Sequence, residues 1–268
     1  MHAAIVIPAY NEARTIHAIA QRALRQCADV IVVDDGSTDG TSAALADLPV
    51  ILLRHETNQG KGAALWDGFV QALALGADAV VTIDGDGQHQ PEDFARLALA
   101  AAAHPRCLII AARMRSRESA PRARQVANRI ADFWLGWAAG HAVADSQSGQ
   151  RLYPATLLKQ VSLRHDDKTR FAFESDLLIR AAKLGYPTVA VPIETVYDPA
   201  ARPSHFRPVR DIARIARVVA GHLFASRFNL SGLRRSLRTA PCIVPDQDDS
   251  VASPSGVRSI AASRIWRS

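Results

Sequence analysis

What this chain lacks narrows its possibilities before any motif is read. It contains no run of about 18 apolar residues, so no helix is expected to span a bilayer. Among its 268 residues only three are cysteine, Cys27, Cys107 and Cys242. They are odd in number, far apart and without metal-ligand spacing, which argues against a disulfide framework or a structural zinc site and for a reduced, cytoplasmic protein. The apolar stretch from Ala3 to Ile7 is too short for a signal core and runs straight into Pro8, so no secretory leader is expected. Glycine is missing where dinucleotide binding would need it. A G-x-G-x-x-G turn belongs directly after the first strand, and that position reads Pro8-Ala-Tyr-Asn-Glu-Ala13, which excludes NAD or FAD binding by that route. Gln59-Gly-Lys-Gly-Ala63 fails the G-x-x-x-x-G-K-[ST] pattern as well; its lysine is left between a helix-entry turn and a phosphate contact. Acidic residues are scarce from 201 to 240, where nine arginines face one acid, Asp211. The segment carries no nucleic-acid reader motif, so nucleic acid is not expected as a partner; a phosphate-rich ligand or an anionic membrane surface suits it better.

What is present reads as alternating strands and helices. Hydrophobic residues make up 48% and charged residues 22%, ordinary globular usage with enough apolar material for a sizeable core. Apolar runs at 3–8, 30–34, 50–53, 80–83 and 108–112 predict buried strands. Between them lie a helix with Ile16, Ile19, Ala23 and Leu24 on one face, capped by Asn11, and a second helix from the 58–62 turn to about Leu75. Such alternation predicts an α/β fold with a mostly parallel central sheet flanked by helices. Further on, helices are expected through Trp137, from Phe171 to Leu184 and from Val209 to about Phe228, with short strands after Asp145 and from Thr188 to Ile193. The helix from Val209 is amphipathic, with Arg207, Arg210, Arg214 and Arg217 along one side and Ile212, Ile215, Val219 and Leu223 along the other.

In parallel sheets ligands sit at the carboxyl ends of the strands, and polar residues gather at those ends here: Tyr10 to Glu12, Asp34 and Asp35, Asp84 and Asp86, and Arg113. Asp34 suits a helix cap, whereas Asp35 can accept from a nucleobase or a ribose hydroxyl. Val80-Val-Thr-Ile-Asp-Gly-Asp-Gly-Gln-His89 ends an apolar strand in two carboxylates. That is a poor way to build a core and a good way to hold Mg²⁺ or Mn²⁺ beside phosphate oxygens, with Gln88 two residues on. Phosphotransferases that form an aspartyl-phosphate also use D-x-D. They keep it on the first strand with Thr or Val two residues later, where this chain has its fourth strand and Gln88.

Ile7-Pro-Ala-Tyr-Asn-Glu12, Val32-Val-Asp-Asp-Gly-Ser-Thr-Asp-Gly-Thr41, Asn58-Gln-Gly-Lys-Gly62 and Ile83-Asp-Gly-Asp-Gly-Gln-His89 follow one another at a spacing that resembles family 2 glycosyltransferases, in particular their dolichyl-phosphate mannosyltransferase-like branch. The resemblance covers about residues 3–235. It implies the GT-A (nucleotide-diphospho-sugar transferase) fold and an inverting, metal-dependent transfer from a nucleotide diphosphate sugar. By the family pattern Pro8, Tyr10, Glu12, Val33 and Asp35 surround base and ribose. Asp84, Asp86 and Gln88 hold the metal and diphosphate, and Arg113 lies at the sugar-phosphate side.

On the acceptor side Asp145, ahead of Ser148-Gly149, is the first candidate to orient or deprotonate an acceptor. Asp176 is the second, and Glu174 is open between a cap and a functional role. A lipid phosphate, already an anion, would need no base. Arg202, His205 and Arg207 are candidates to close over a diphosphate or acceptor phosphate, although the branch has an Arg followed by Ser-Lys there. A GT-A domain is expected over 1–235, with a nucleotide-binding half to about 115 and an acceptor half after it, followed by a disordered tail over 236–268. The protein is expected to be cytoplasmic, peripheral on the inner face of the membrane, with a lipid-linked or small-molecule acceptor. The alternative from another class is a non-catalytic nucleotide- or polyanion-binding regulator.

Overall fold

The computed structural model describes residues 1–114, 122–161, 172–194 and 208–245. Its strands are β1 (Ala3–Ala9), β2 (Asp29–Asp34), β3 (Ile51–Arg54), β4 (Ala79–Thr82), β5 (Leu108–Ala112), β6 (Arg151–Pro154), β7 (Thr188–Pro192) and β8 (Cys242–Ile243). The helices are α1 (Ile16–Leu24), α2 (Lys61–Ala74), α3 (Phe94–Ala103), α4 (Arg122–Ala139), α5 (Ala155–Gln160), α6 (Phe173–Lys183), α7 (Pro208–Ala225) and α8 (Leu230–Arg238). One sheet runs β3-β2-β1-β4-β6-β5-β7-β8, with β6 antiparallel to both neighbours and the other pairings parallel.

The central strands are apolar on both faces because both are covered. Ala4 and Val6 of β1 join a core with Leu65 and Phe69 of α2, whereas Ile5 and Ile7 join one with Ile16, Ile19 and Leu97 of α1 and α3. A Cβ at Gly68 would overlap Val6, so the glycine lets α2 lie close on β1. A third cluster, Leu135, Ala138, Ile179, Val219 and Leu223, joins α4, α6 and α7.

The antiparallel β6 is what builds the site. Its first residue, Arg151, pairs with Thr82 at the end of β4 and with Ile110 of β5. Because β6 runs backwards, the turn that feeds it, 145–150, lies at the carboxyl edge where Asp84 and Arg113 leave the sheet.

The structure departs from the sequence reading in four places. Asn11 does not cap α1: it has a φ of 55°, its side chain accepts from the Thr38 N–H, and Thr15 occupies the cap position. The amphipathic helix ends at Ala225 rather than near Phe228, and Ile212 of its apolar side is 56% exposed. The boundary expected at residue 235 falls inside α8, and the segment beyond adds β8 to the edge of β7, with the Val244 N–H donating to the Ala190 carbonyl at 2.8 Å. Only 246–268 of the expected tail lies outside the described residues.

Candidate active site

The turn after β4 is held against β1. Thr15 Oγ1 donates to the Gly85 carbonyl at 2.6 Å. A Cβ on Gly85 would come within 3.2 Å of the Pro8 carbonyl and 3.4 Å of Glu12 Cγ, so this glycine lets the D-x-D turn nest against the end of β1. Asp86 Oδ1 accepts the Gln88 N–H at 3.0 Å, which closes the turn. Opposite, Gly149 lies so close beneath Asp84 that an added Cβ would stand 2.6 Å from Asp84 Cγ.

Lys61, at the start of α2, reaches into this site. Its Nζ lies 2.7 Å from Asp84 Oδ1 and 2.8 Å from Glu174 Oε2. Burial opposes its charge, yet the two carboxylates hold the ammonium above its ordinary pKa. Asp84 is the counterpart: against the effect of burial, Lys61 and then His89 hold its carboxyl below the usual range. Asp86 moves the other way, raised by burial and then by the charge of Asp84. His89 is 3% exposed and pushed down to about 4 by burial, so it is neutral at pH 7. Its Nε2 faces Ser148 Oγ at 3.3 Å, and its buried Nδ1 has no hydrogen-bond partner, 3.9 Å from Asp84 Oδ2.

These features fit a divalent cation whose remaining ligands come from a substrate. Two carboxylates repel one another at a strand end, and a cation between them would offset the Asp84 charge that, after burial, raises Asp86. Among the described residues no group of three or more His, Cys, Asp or Glu forms a metal cage. Mg²⁺ and Mn²⁺ take few protein oxygens when phosphate supplies the rest.

Arg113, at the end of β5, is aimed by Asp145. Its Nε donates to Oδ2 at 2.8 Å, its Nη2 to Oδ1 at 2.6 Å, and its own backbone N–H to Oδ2 at 2.8 Å. Asp145 has a φ of 48°, and its turn is held by Asp132 of α4, which accepts the N–H groups of Asp145 and Ser146 at 3.2 and 2.7 Å. Burial would raise the Asp145 carboxyl, but Arg113 keeps it below its ordinary value. Such a carboxylate is a weak base. The geometry makes Asp145 the anchor of Arg113.

Asp176 is not brought to the cleft. Two residues along a helix turn through about 200°, so Glu174 faces Lys61 while Asp176 faces α7. There it accepts from His222 Nε2 at 2.6 Å and from Arg180 Nε at 2.7 Å. This second acceptor-side candidate therefore lies against α7 rather than beside Lys61.

Around the nucleotide-side candidates the structure is divided. Asp34 is fully buried and caps its own loop, accepting from the Ser37 N–H at 2.8 Å and from Ser42 Oγ. Asp35 is 2% exposed and accepts the N–H groups of Gln59 and Gly60 at 2.8 and 2.7 Å, with His55 Nδ1 at 2.7 Å. It therefore fixes the turn that delivers Lys61, and only what these bonds leave of Oδ2 could meet a base or ribose. Val33 is fully buried, with its side chain in the core. Pro8 is buried near the end of β1, while Tyr10 and Glu12 are half-buried at the rim. Arg202, His205 and Arg207 lie outside the described residues. Lys61, His89, Asp132 and Gly149 were not singled out as site residues from the sequence. The signal for Gly149 was its place after Ser148, and for Lys61 the turn before α2; nothing in the sequence pointed to Asp132.

The profile described as Glycosyl transferase family 2 matches residues 4–158. The UDP-N-acetylglucosamine–dolichyl-phosphate N-acetylglucosaminyltransferase of Methanococcus voltae is 32% identical over 214 residues, covering 72% of this chain and 85% of that protein. Polyprenol monophosphomannose synthase of Mycolicibacterium smegmatis is 34% identical over 200 residues, covering 70% of this chain and 75% of that protein. A crystal structure of glucosyl-3-phosphoglycerate synthase from Mycobacterium tuberculosis, in complex with Mn²⁺, uridine diphosphate and glucosyl-3-phosphoglycerate, has a TM-score of 0.55 at 23% identity and covers 83% of this chain and 78% of its own. That last likeness is one of fold. The family match and the first relative's identity together show that the chain belongs to glycosyl transferase family 2, a glycosyltransferase built on the GT-A fold.

Proposed function

We infer that the enzyme moves a sugar, with inversion and with a divalent cation, from a nucleoside diphosphate sugar to a polyprenyl phosphate. The names of the two relatives above supply the acceptor class. The observation that carries the choice is the state of the acceptor-side carboxylates. Asp145 is spent on Arg113 and Asp176 on His222 and Arg180, so neither of the two expected bases is available to deprotonate a hydroxyl. A phosphate oxygen needs no deprotonation. It attacks the anomeric carbon as the bond to the donor's phosphate oxygen breaks, and the nucleoside diphosphate leaves with the electron pair.

Asp84, Asp86 and Gln88 would hold the cation, which when bound offsets the charge that grows on the leaving diphosphate. Lys61 and Arg113 add two fixed positive charges at the same strand ends. Arg113 presents a guanidinium already oriented by Asp145, so little rotamer freedom is lost when it meets a phosphate or the sugar. Asp35 and His55 hold the turn that carries Lys61. Tyr10 and Glu12 border the place proposed for base and ribose, and Arg202 and His205 are proposed to close on phosphate. Family membership sets the non-catalytic alternative aside.

The test is a panel of labelled UDP- and GDP-sugars offered with a polyprenyl phosphate or with a water-soluble phosphorylated acid, with and without Mn²⁺. Label passing into the organic phase only with polyprenyl phosphate and Mn²⁺ is expected. Transfer only to the soluble acid would overturn the acceptor assignment.

A further inference from the structure

The outer surface of α4, α7 and α8 is built the wrong way round for a domain that faces only water. α7 ends at Ala225, and the next turn places Arg227, Phe228 and Asn229 at φ of 49°, 63° and 35°. The left-handed region is costly for a bulky residue such as Phe228. The turn is pinned by the Trp137 indole N–H, which donates to the Phe228 carbonyl at 2.8 Å, and by Asn229, whose side chain accepts the Gly232 N–H at 3.1 Å. It folds α8 back onto the end of α4, with Gly232 buried there and Arg235 Nε donating to the Gly140 carbonyl at 3.2 Å.

With its glycine turned inward, α8 turns two of its three leucines outward. Leu230 and Leu237 are 69% and 65% exposed, and Arg234 and Arg238 are exposed on the adjacent side of the same helix. An ordinary surface helix does the opposite. The apolar strip continues beyond α8. Phe224 is 67% exposed with its ring 5.0 Å from that of Phe228, and exposed Trp134 stacks on Trp137 at 5.3 Å. From 212 to 245 the sequence has no acidic residue and six arginines. None of Arg217, Arg227, Arg234 and Arg238 is salt-bridged to a carboxylate among the described residues.

We propose that this face, with Leu230, Leu237, Phe224 and Trp134 at its centre and Arg234 and Arg238 beside them, seats the enzyme on an anionic lipid bilayer without spanning it. Leucine and aromatic side chains enter the headgroup boundary, and guanidinium groups meet lipid phosphates while their stems lie along the apolar level. A second copy of the chain fits this face less well, because a two-fold interface would set the same unpaired arginines against each other. No helix among the described residues is long and apolar enough to cross a membrane, so the contact is interfacial. α4 connects this face to the site. Asp132 holds the turn of Asp145 and hence Arg113, while Trp134, two residues on, belongs to the lipid face. Docking there would serve a lipid phosphate acceptor, and in that respect the inference rests on the acceptor proposed above.

The experiment uses the full chain and vesicles of phosphatidylcholine containing about one-third phosphatidylglycerol, with no polyprenyl phosphate, so binding is read independently of the acceptor. Co-sedimentation of the wild type is expected, weakened by salt. Leu230→Gln/Leu237→Gln should lower partitioning at least about tenfold. Arg234→Gln/Arg238→Gln should lower it several-fold and flatten the salt dependence. Both variants change exposed side chains and should keep the wild-type melting temperature and its transfer rate to a short-chain, water-soluble polyprenyl phosphate. Should the leucine variant fail to fold, the arginine variant decides. A wild type that stays in the supernatant overturns the proposal, as does vesicle binding unchanged in the variants. A wild-type dimer that the leucine variant dissociates, with no vesicle binding, overturns it too. Vesicle binding without transfer to any polyprenyl phosphate would leave docking standing and remove the acceptor assignment.

Discussion

Replacing Gly149 by alanine adds one methyl group at the point where β6 is fed into the sheet, and the consequences follow from what surrounds it. The added Cβ would stand 2.6 Å from Asp84 Cγ and closer still to the carboxylate oxygens. Gly149 has no positive φ, so its backbone accepts alanine and the cost is steric alone. Neither side yields easily: Asp84 is pinned by Lys61 at 2.7 Å, and the Gly149 carbonyl accepts from Thr82 Oγ1 at 2.8 Å. Overpacking of this kind costs about 1–3 kcal/mol, which for a domain of this size lowers the melting temperature by roughly 2–10 °C. The larger effect is on chemistry. Asp84 must move by about an ångström, and a displacement of that size at a reacting centre costs on the order of a hundredfold in rate. Thermal unfolding and steady-state kcat/KM for sugar transfer measure both. A Gly149→Ala enzyme within twofold of wild-type kcat/KM and with an unchanged melting temperature would refute the placement of Asp84 over this glycine.

Other outcomes follow from the same geometry. Asp176→Asn breaks a network with His222 and Arg180 that is remote from Asp84; it should lower the melting temperature and leave kcat within about twofold, since truncating a structural ion pair acts on stability. A fall in kcat on the order of a hundredfold would restore Asp176 as a base. Asp145→Asn should raise the donor KM by releasing Arg113 while keeping the shape of the pH–kcat profile, whereas loss of the acidic limb of that profile would mark Asp145 as the proton acceptor. His141 is held below its ordinary pKa by burial, and its Nε2 accepts the Thr188 N–H at 3.1 Å. The unfolded chain therefore takes up this proton first, so stability from His141 is complete above about pH 6.5 and declines below it. His141→Gln should flatten that part of the stability–pH curve, and an unaltered slope in denaturant titrations would contradict the assignment.

Much of the fold was legible because buried parallel strands announce themselves. The runs that became β1, β2, β4 and β5 are continuous in Val, Ile and Ala, and covered faces require that. The donor side was legible for a related reason: two carboxylates at the end of a buried strand add nothing to its core, so their presence points to chemistry. What stayed hidden depends on direction and pairing. Glu174 and Asp176 lie two residues apart in sequence, and only the packing of α6 against α2 and α7 decides which one faces Lys61. Asp145 looked like a base because nothing in one dimension shows that Arg113 reaches it from β5. α8 was missed because two of its three leucines point outward. Cys242 and Ile243 were given to the tail, although two residues suffice to pair with the edge of β7. Asn11 resembles a helix cap in sequence, yet its left-handed backbone sends the side chain to Thr38 instead.

The central claim is that Asp84 and Asp86 hold the cation to which the donor diphosphate binds. Calorimetric titration of wild type and Asp86→Asn with UDP and GDP, in Mn²⁺ and in chelator, tests it most directly. One of the two nucleotides should bind the wild type tightly only with Mn²⁺, and the variant should lose at least about tenfold of that affinity, the loss typical of weakened metal ligation. Equal affinity in Mn²⁺ and chelator, unchanged in Asp86→Asn, would contradict it.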